Sequence, residues 1–389
     1  GLGDVYKRQI LTNYVAEYFT YIILALCLVA GIYWYIVDPS RILDVVAAIL
    51  IIACPCALGL SSPFTLGNMM RIFGNKNFYI KNTSTIEKMA QVTDIVLDKT
   101  GTITVSEVDQ IKYEGIELSE EQKKMVKVVL RNSNHPLSRS LYSALNVEAT
   151  AKVEDYMQVI GKGQQAVVDG KLVQIGSRDF VQAIEESTIN QTVVYIKIDN
   201  QVLGKFIFTS TYRTGLQAVL EKLKNYNLHV LSGDNDAERT YLAKIFPEGS
   251  ILNFNQSPND KLVYIEKLQK EGKKVMMLGD GLNDAGALKQ SDVGVAISES
   301  MNSFSPSCDG ILDAKEFQRI PWFMKMSKYT MRLVVAAFII SFMYNVIGLS
   351  FAVTGYLEPV VAAILMPISS ASVILFATFG SRITAKITR

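Results

Sequence analysis

Apolar residues fall along this chain in two unlike patterns. Residues 333–353 and 359–379 carry no charged side chain. About 20 apolar residues in a helix span the hydrocarbon layer of a membrane, so each stretch predicts a spanning helix. Two weaker candidates lie near the start, at 19–37 and 42–66, the second holding one early acid, Asp44. Between these pairs runs a polar stretch, about 70–325, whose apolar runs are short. "VTDIVLDKTGTIT" (92–104), "NLHVLSGDND" (227–236), "KKVMMLGDGLNDAGAL" (274–288) and "SDVGVAIS" (291–298) read as buried parallel strands. Helical patterns at 214–225 and 259–271 lie between them, and strands alternating with helices predict a doubly wound α/β domain. From 107 to 209 the period becomes two. There "QQAVVDGKLVQIG" sets Asp169-Gly170 between alternating runs, a hairpin signal, and "TVVYIKIDNQVLGKFIF" reads as another hairpin. The expected organisation is two membrane helices in 10–68, a discontinuous α/β domain at 69–106 and 210–322, an α+β domain inserted at 107–209, and two membrane helices in 326–380.

Composition agrees with that division. Of the 389 residues, 49% are hydrophobic and 20% charged, and the mean hydropathy is +0.21. A net charge of +2 gives no reason to expect a nucleic-acid partner. The basic residues are more telling. Lys7 and Arg8 precede the first span, and Arg71, Lys76 and Lys81 follow the second. Lys325, Lys328 and Arg332 precede the third, and Arg382, Lys386 and Arg389 follow the fourth. The short loops 38–41 and 354–358 hold only Arg41. Basic residues stay on the cytoplasmic side, so both termini and the polar stretch are expected in the cytoplasm. The localisation expected is an integral protein of the bacterial cytoplasmic membrane, with lipid around its spans. The four cysteines, 27, 54, 56 and 308, are not spaced as a disulfide framework, and Cys27 reads as plain packing. The chain opens on "GLGDVYKRQ", without Met or a signal-peptide pattern, and is expected to continue upstream.

Chemistry collects where the strands end, which is where open α/β sheets place their sites. Asp98 ends the first strand, and a carboxylate there can attack a phosphoryl group. Such an attack needs the phosphate charge neutralised by Mg²⁺ and a nearby lysine. Asp280 and Asp284, after the third strand, offer hard oxygens to such a cation. Ser232, after the second, offers a hydroxyl to the phosphate, and Lys261, at the start of a helix, offers a positive charge. A single loop acid is as readily a solvated turn former. The set, in this order after successive strands, is not explained that way.

"DKTGTIT" (98–104), "SGDN" (232–235) and "GDGLNDA" (279–285) resemble the three signature motifs of the P-type ATPases. The fold this implies is membrane α-helical segments plus a cytoplasmic α/β haloacid-dehalogenase-like phosphorylation domain with an inserted α+β nucleotide-binding domain. The resemblance implies that ATP phosphorylates Asp98. It makes Lys99 and Thr100 site neighbours, Thr100 lending its backbone carbonyl to Mg²⁺, with Asp98 and Asp280 as further Mg²⁺ ligands and Asn283 and Asp284 in support. Ser232 stands where the family has Thr and keeps the hydroxyl, and Asp234 of the same motif carries over as catalytic. The insert resembles the nucleotide-binding domain of the heavy-metal branch. His135-Pro136 matches its "HP" pair, with His135 expected at the adenine, and Gly161-Lys162-Gly163 matches its G-x-G. Asn134 stands where the family commonly has Glu. In "STYR" (210–213) Ser210 replaces the Asp of a D-x-x-R pattern, from which a loss of local coupling is expected. His229 reads as structural.

The second span carries "CPC", Cys54-Pro55-Cys56. Proline breaks a helix, and thiolates are soft ligands that favour Cu(I), Zn²⁺ or Cd²⁺ over Mg²⁺ or Ca²⁺. The bland alternative is two small residues beside a kink. Cys-Pro-Cys also resembles the mark of the metal-transporting P-type ATPases. Tyr344-Asn345 in the third span, and Met366 with Ser369 and Ser370 in the fourth, resemble the Cu(I)-transporting subgroup. By spacing alone those polar residues would equally glue helices together. The resemblance thus implies ATP-driven transport of Cu⁺, with Ag⁺ as its mimic, out of the cytoplasm. The transported ion would be held by Cys54, Cys56, Tyr344, Asn345, Met366 and Ser370, and a cytoplasmic metal chaperone could supply it. The rival readings are a Zn²⁺ or Cd²⁺ transporter of the same class, and a membrane-anchored phosphatase or metal sensor that transports nothing. The sequence contains no Thr-Gly-Glu, the motif by which the family's actuator domain positions the hydrolytic water. The chain alone is therefore expected to accept a phosphoryl group without turning over.

Overall fold

A computed structural model of the chain describes residues 21–54, 56–105, 110–133, 135–149, 151–159, 161–184, 192–209, 211–281, 283–299 and 308–387. An apolar helix, α1 (Tyr21–Val37), leads through a short turn at Pro39–Arg41, capped by the Asp38 carboxylate, into α2 (Ile42–Ile52). There the helix stops, and α3 (Cys56–Gly74) starts after a break. The single span expected over 42–66 is therefore two helices, with Ala53 and Cys54 in neither. Pro55 lies outside the described residues.

β1 (Phe78–Ile80), α4 (Ser84–Gln91) and β2 (Asp94–Asp98) follow. Next come β3 (Gln110–Gly115), α5 (Glu120–Arg131), α6 (Pro136–Ala144), β4 (Val153–Val159), β5 (Gly163–Val168), β6 (Lys171–Gly176), α7 (Arg178–Val181), β7 (Thr192–Ile198) and β8 (Gln201–Thr209). The chain continues with α8 (Leu216–Lys222), β9 (Asn227–Leu231), α9 (Arg239–Ile245), β10 (Ile251–Asn253), α10 (Pro258–Lys270), β11 (Val275–Gly279), α11 (Ala285–Gln290), β12 (Val293–Ser298) and β13 (Gly310–Asp313). Two long helices, α12 (Ile320–Val353) and α13 (Pro359–Ile387), complete it. Both are long and apolar enough to cross a membrane.

The strands form two sheets, one of seven in the order β1-β13-β12-β11-β2-β9-β10 and one of six in the order β3-β8-β7-β6-β5-β4. The first is the expected α/β sheet. Its strand sequence runs outward in both directions from β2, so the loop after β2 sits where the order reverses, the usual place for a ligand in such sheets. β2 is buried along its whole length, as a central strand covered on both faces must be.

The chain divides into two compact units. One comprises the chain up to Asp94, Tyr264–Met277, and Ala285 onward. In it Phe73 of α3, Phe78 of β1 and Phe323 of α12 are almost fully buried. Their ring centroids lie 4.8 to 5.6 Å apart, within the range of favourable aromatic pairing. This cluster fastens the ends of two apolar helices to the edge of the sheet. Farther along the helices, Val45, Ala48, Ile49 and Ile52 of α2 share a core with Ala352 of α12 and Ala362 of α13.

The second unit is Ile95–Val263 with Leu278–Asp284. The six-stranded sheet lies here and is antiparallel throughout. Alternate residues of β5 point into a core with Val126, Val129 and Leu130 of α5 and Leu141 of α6. Both expected hairpins form, Val168 pairing with Lys171 and Ile198 with Gln201. Asp169 and Gly170 both take positive φ, as a two-residue type I′ turn requires.

Candidate active site

Three segments of the second unit converge, and local sequence explains how each is held. The first is Asp98–Thr104, which leaves β2. Gly101 takes φ +71°, a conformation costly for a side-chain-bearing residue. The Thr104 hydroxyl closes the loop, donating to the Lys99 carbonyl and accepting from the Gly101 N–H. Arg213 clamps it from outside, donating to the carbonyls of Thr102 (2.7 Å) and Gly101 (2.9 Å). The second segment follows β9, where the Ser232 hydroxyl accepts from the Asp234 N–H at 3.1 Å. The third follows β11. There Asp280 accepts from the backbone N–H and the side-chain amide of Asn283, each at 3.1 Å.

Lys261 joins the first and third segments. Ser257 and Asp260 cap the start of α10 reciprocally, with Pro258 in the first turn. That cap sets Lys261 on the first turn, facing inward. Its ammonium donates to Asp98 Oδ1 at 2.5 Å and to Asp284 Oδ1 at 2.8 Å, and all three side chains are buried. Burial, then the charge of Asp284, push Asp98 up to about 8 against the pull of Lys261. Burial likewise pushes Asp284 up. Two buried carboxylates around one ammonium lack one positive charge, and Asp284 Oδ2 and Thr102 Oγ are buried without a hydrogen-bond partner. A missing positive charge, an orphaned carboxylate oxygen and hard oxygen donors fit a cation such as Mg²⁺, which binds through one or two carboxylates and keeps several waters. Among the described residues no group of three or more acids, histidines or cysteines is close enough to cage a metal by itself.

Most of the residues expected at this site converge on it, and Lys99, expected as a site neighbour, directs its ammonium to the segment after β9. Its buried ammonium pairs with Asp234 and Glu238, both at 2.8 Å. Asp234 also accepts from the Thr100 hydroxyl at 3.1 Å, and Glu238 from the Tyr212 hydroxyl at 2.9 Å. Glu238, Tyr212 and Arg213 are the functional candidates that sequence reasoning missed. Arg213 was visible as the last residue of "STYR". Nothing in sequence distinguishes Glu238 from the other acids of "GDNDAER". Ser210, the departure within "STYR", lies outside the described residues.

In the same unit a cavity of about 390 Å³ opens beside the six-stranded sheet. His135, Gly161 and Gly163 all line it, with Asn235 of the "SGDN" segment. Pro136 opens α6. A polar floor runs through it: Gln158 donates to Ser133, Tyr156 to Gln164, and Gln164 to Ser138. Gly163 has a plain packing reason as well. A Cβ there would meet Ile175 O at 2.6 Å and the Phe180 ring at 2.6 Å. Asn134 lies outside the described residues, and His229 is buried within β9, as expected of a structural residue.

The first unit holds the remaining candidates. A Cβ on Gly348 of α12 would meet Ile52 of α2 at 3.0 Å, so the end of α2 lies against α12 about one turn from Tyr344 and Asn345. Asn68 of α3 donates to Thr378 of α13 at 3.1 Å. Asn345, Met366 and Ser370 are half-buried and Tyr344 is more exposed. Cys54, outside both helices, is disulfide-bonded, so holding a metal would require its reduction to the thiolate.

The model of the haloacid dehalogenase-like hydrolases matches residues 95–292, just over half of the chain. The copper-exporting P-type ATPase of Staphylococcus haemolyticus is 28% identical over 94% of this chain and 48% of its own length. The probable copper-importing P-type ATPase A of Enterococcus hirae is 30% identical over 99% of this chain and 55% of its own length. The chain thus spans about half the length of the curated relatives it matches. Among solved structures, a zinc-transporting PIB-type ATPase in the E2.Pi state superposes with a TM-score of 0.72 at 21% identity, over 93% of this chain and 62% of that one. That likeness carries the fold alone. The family model covers the whole segment that holds Asp98, Lys261 and Asp284, and the chain belongs to the haloacid dehalogenase-like hydrolases.

Proposed function

We propose that the chain takes the γ-phosphoryl group of ATP onto Asp98 and uses it to drive a soft metal ion, Cu(I), across a membrane, as a P-type ATPase. The observation that carries the phosphoryl reading is Lys261 bridging two buried carboxylates at 2.5 and 2.8 Å. The Asp98 oxygen attacks phosphorus while the bond to the ADP oxygen breaks, leaving an acyl phosphate and ADP. Lys261 holds Asp98 in line and offsets charge on the entering phosphoryl group. Ser232 donates to that group, and Asp234, Asn283 and Asp284 orient the loops around it. Asp98, Asp280 and the Thr100 carbonyl would hold Mg²⁺, which supplies charge neutralisation. The residues 107–209 serve as the nucleotide-binding domain, with ATP in the cavity lined by His135, Gly161 and Gly163, and 69–106 with 210–322 as the phosphorylation domain.

The metal half rests on residue chemistry and on the printed names of the relatives. Residues two apart on a regular helix do not face one way, and the helix is interrupted between Ile52 and Cys56. Irregular backbone at membrane depth persists where it is buried in protein or lines a cavity. Two thiolates and the Met366 thioether suit Cu(I), or Ag⁺ in its place, better than harder ions. Tyr344, Asn345 and Ser370 complete the set. The two relatives are named for opposite directions of transport, and export follows from the sequence reading alone. Transfer of label from γ-³²P-ATP tests the proposal. Metal-stimulated labelling of the reduced protein that is lost in Asp98→Asn, with stimulation lost in Cys54→Ser, is the expected result. Labelling indifferent to Cu(I) and to Cys54→Ser would leave a phosphoryl enzyme without transport.

A further inference from the structure

Lys99 directly follows the proposed phosphoryl acceptor, yet its ammonium is bound to Asp234 and Glu238, each at 2.8 Å. One carboxylate would balance its charge. Burying a second costs solvation that one ammonium does not fully return. The two partners also differ. The Asp234 side chain is half exposed and that of Glu238 mostly covered. Glu238 is further fixed by the Tyr212 hydroxyl at 2.9 Å. Tyr212 in turn belongs to the segment that ties down the Asp98–Thr104 loop. Val105 N–H donates to the Thr211 carbonyl, Arg213 N–H to the Ile103 carbonyl, and Thr104 bridges to Tyr212.

We infer that Glu238, fixed by Tyr212, is a positioning residue that holds Lys99, and with it the Asp98–Thr104 loop, while Asp234 turns to the incoming Mg·nucleotide. This rests on the phosphorylation of Asp98 proposed above. Asp234 is the partner able to turn, being half exposed and on the same loop as Ser232. Without Glu238, a turn of Asp234 would strand a buried ammonium. The loop that carries Asp98 and the Thr100 carbonyl would then be ordered only at higher Mg²⁺. The role belongs to neither the phosphoryl transfer nor the metal ligands, and it assigns a purpose to an acid outside the motifs.

The test is Mg²⁺ titration of labelling from γ-³²P-ATP on the whole purified chain, with Asp98→Asn as the blank. Losing one charge-assisted hydrogen bond to Lys99, Glu238→Gln should need about tenfold more Mg²⁺ for half-maximal labelling. Its Mg²⁺-free melting curve should match wild type, because Asp234 still balances Lys99, and Glu238→Asp should restore most of the Mg²⁺ affinity. Tyr212→Phe, which removes one hydroxyl, should shift the titration the same way by about threefold. It decides the matter if Glu238→Gln does not fold. Wild-type Mg²⁺ dependence in Glu238→Gln, or in Tyr212→Phe where that is the only folded variant, overturns the inference and leaves the phosphorylation reading intact. An unlabelled wild type overturns that reading, and the inference with it.

Discussion

Replacing Lys261 with Met tests the proposed chemistry most directly. The side chain keeps most of its length and loses its ammonium, with the charge and the two hydrogen bonds it donates. In the native site one ammonium touches two buried carboxylates, at 2.5 and 2.8 Å. At an effective dielectric of 20, each contact is worth about 6 kcal/mol of gross attraction, most of which repays the cost of burial. Breaking a buried pair costs a net ~3–5 kcal/mol, and here the loss leaves two carboxylates facing each other. The rate effect differs from the stability effect. During phosphoryl transfer further negative charge enters the site, and losing one preorganised cationic donor removes about 3–4 kcal/mol of transition-state stabilisation. That corresponds to a 10²–10³-fold slower transfer, in round numbers. Single-turnover labelling with saturating Mg·ATP reads the rate, and circular dichroism verifies that the variant is folded. Lys261→Arg should recover only part of the rate, since a planar fork does not replace a point charge at two close contacts. A folded Lys261→Met labelled within threefold of wild type would refute the argument, because the cation would then not be stabilising the charge of the phosphoryl group that enters at Asp98.

The acid pair also predicts a pH dependence. The folded-state pKa of Asp98 is raised to about 8, well above the ordinary value near 4. In that window the folded state binds more protons than the unfolded one, so without divalent cation stability falls as pH rises from about 4 to about 8. Mg²⁺ should therefore raise the melting temperature more at pH 8 than at pH 5.5, and equal shifts would contradict the placement of the cation. Gly163→Ala addresses the proposed nucleotide cavity. The new methyl would press on the Ile175 carbonyl and the Phe180 ring at 2.6 Å, an overpacking cost of about 1–3 kcal/mol. A lower melting temperature is expected even in the absence of ATP, and loss of ATP binding with unchanged melting would assign this glycine to the ligand rather than to the sheet.

Much of this architecture was legible because each element announces itself locally. The apolar run Ile95–Leu97 before Asp98, the Asp-Gly turn at 169–170, and the helical pattern at 259–271 that starts near Lys261 are short-range signals, and the structure follows them. What could not be read depends on packing between distant segments. By resemblance Lys99 is only a site neighbour of Asp98, with no partner assigned to its ammonium. The loop carries its ammonium to acids more than 130 residues on, a choice fixed by the turn at Gly101 and the clamp from Arg213. Glu238 has no motif around it, and its meaning comes only from Tyr212 and Lys99 closing on it. Gly163 shows the reverse. Sequence offered a ligand-facing glycine, and the sheet supplies a second, purely steric reason for it.

The same contrast bears on Cys-Pro-Cys. Sequence alone says that a proline in an apolar run disturbs a helix, without saying whether the chain bends or stops. Here it stops, and α2 and α3 leave Ala53 and Cys54 outside both. Such a gap exposes backbone groups that hydrocarbon cannot satisfy, so it persists only where other groups meet it. Ile52, the last residue of α2, packs against Gly348 of α12, and Asn68 of α3 donates to Thr378 of α13, so both long helices lie beside the helices that flank the gap. Tyr344 and Asn345 lie about one turn from Gly348 on α12, and Met366 and Ser370 lie on α13. The proposal that they form one ion site with Cys54 therefore stands on residue chemistry, and loss of Cu(I)-stimulated labelling in Met366→Leu, with Asp98 still labelled without metal, is the result it expects.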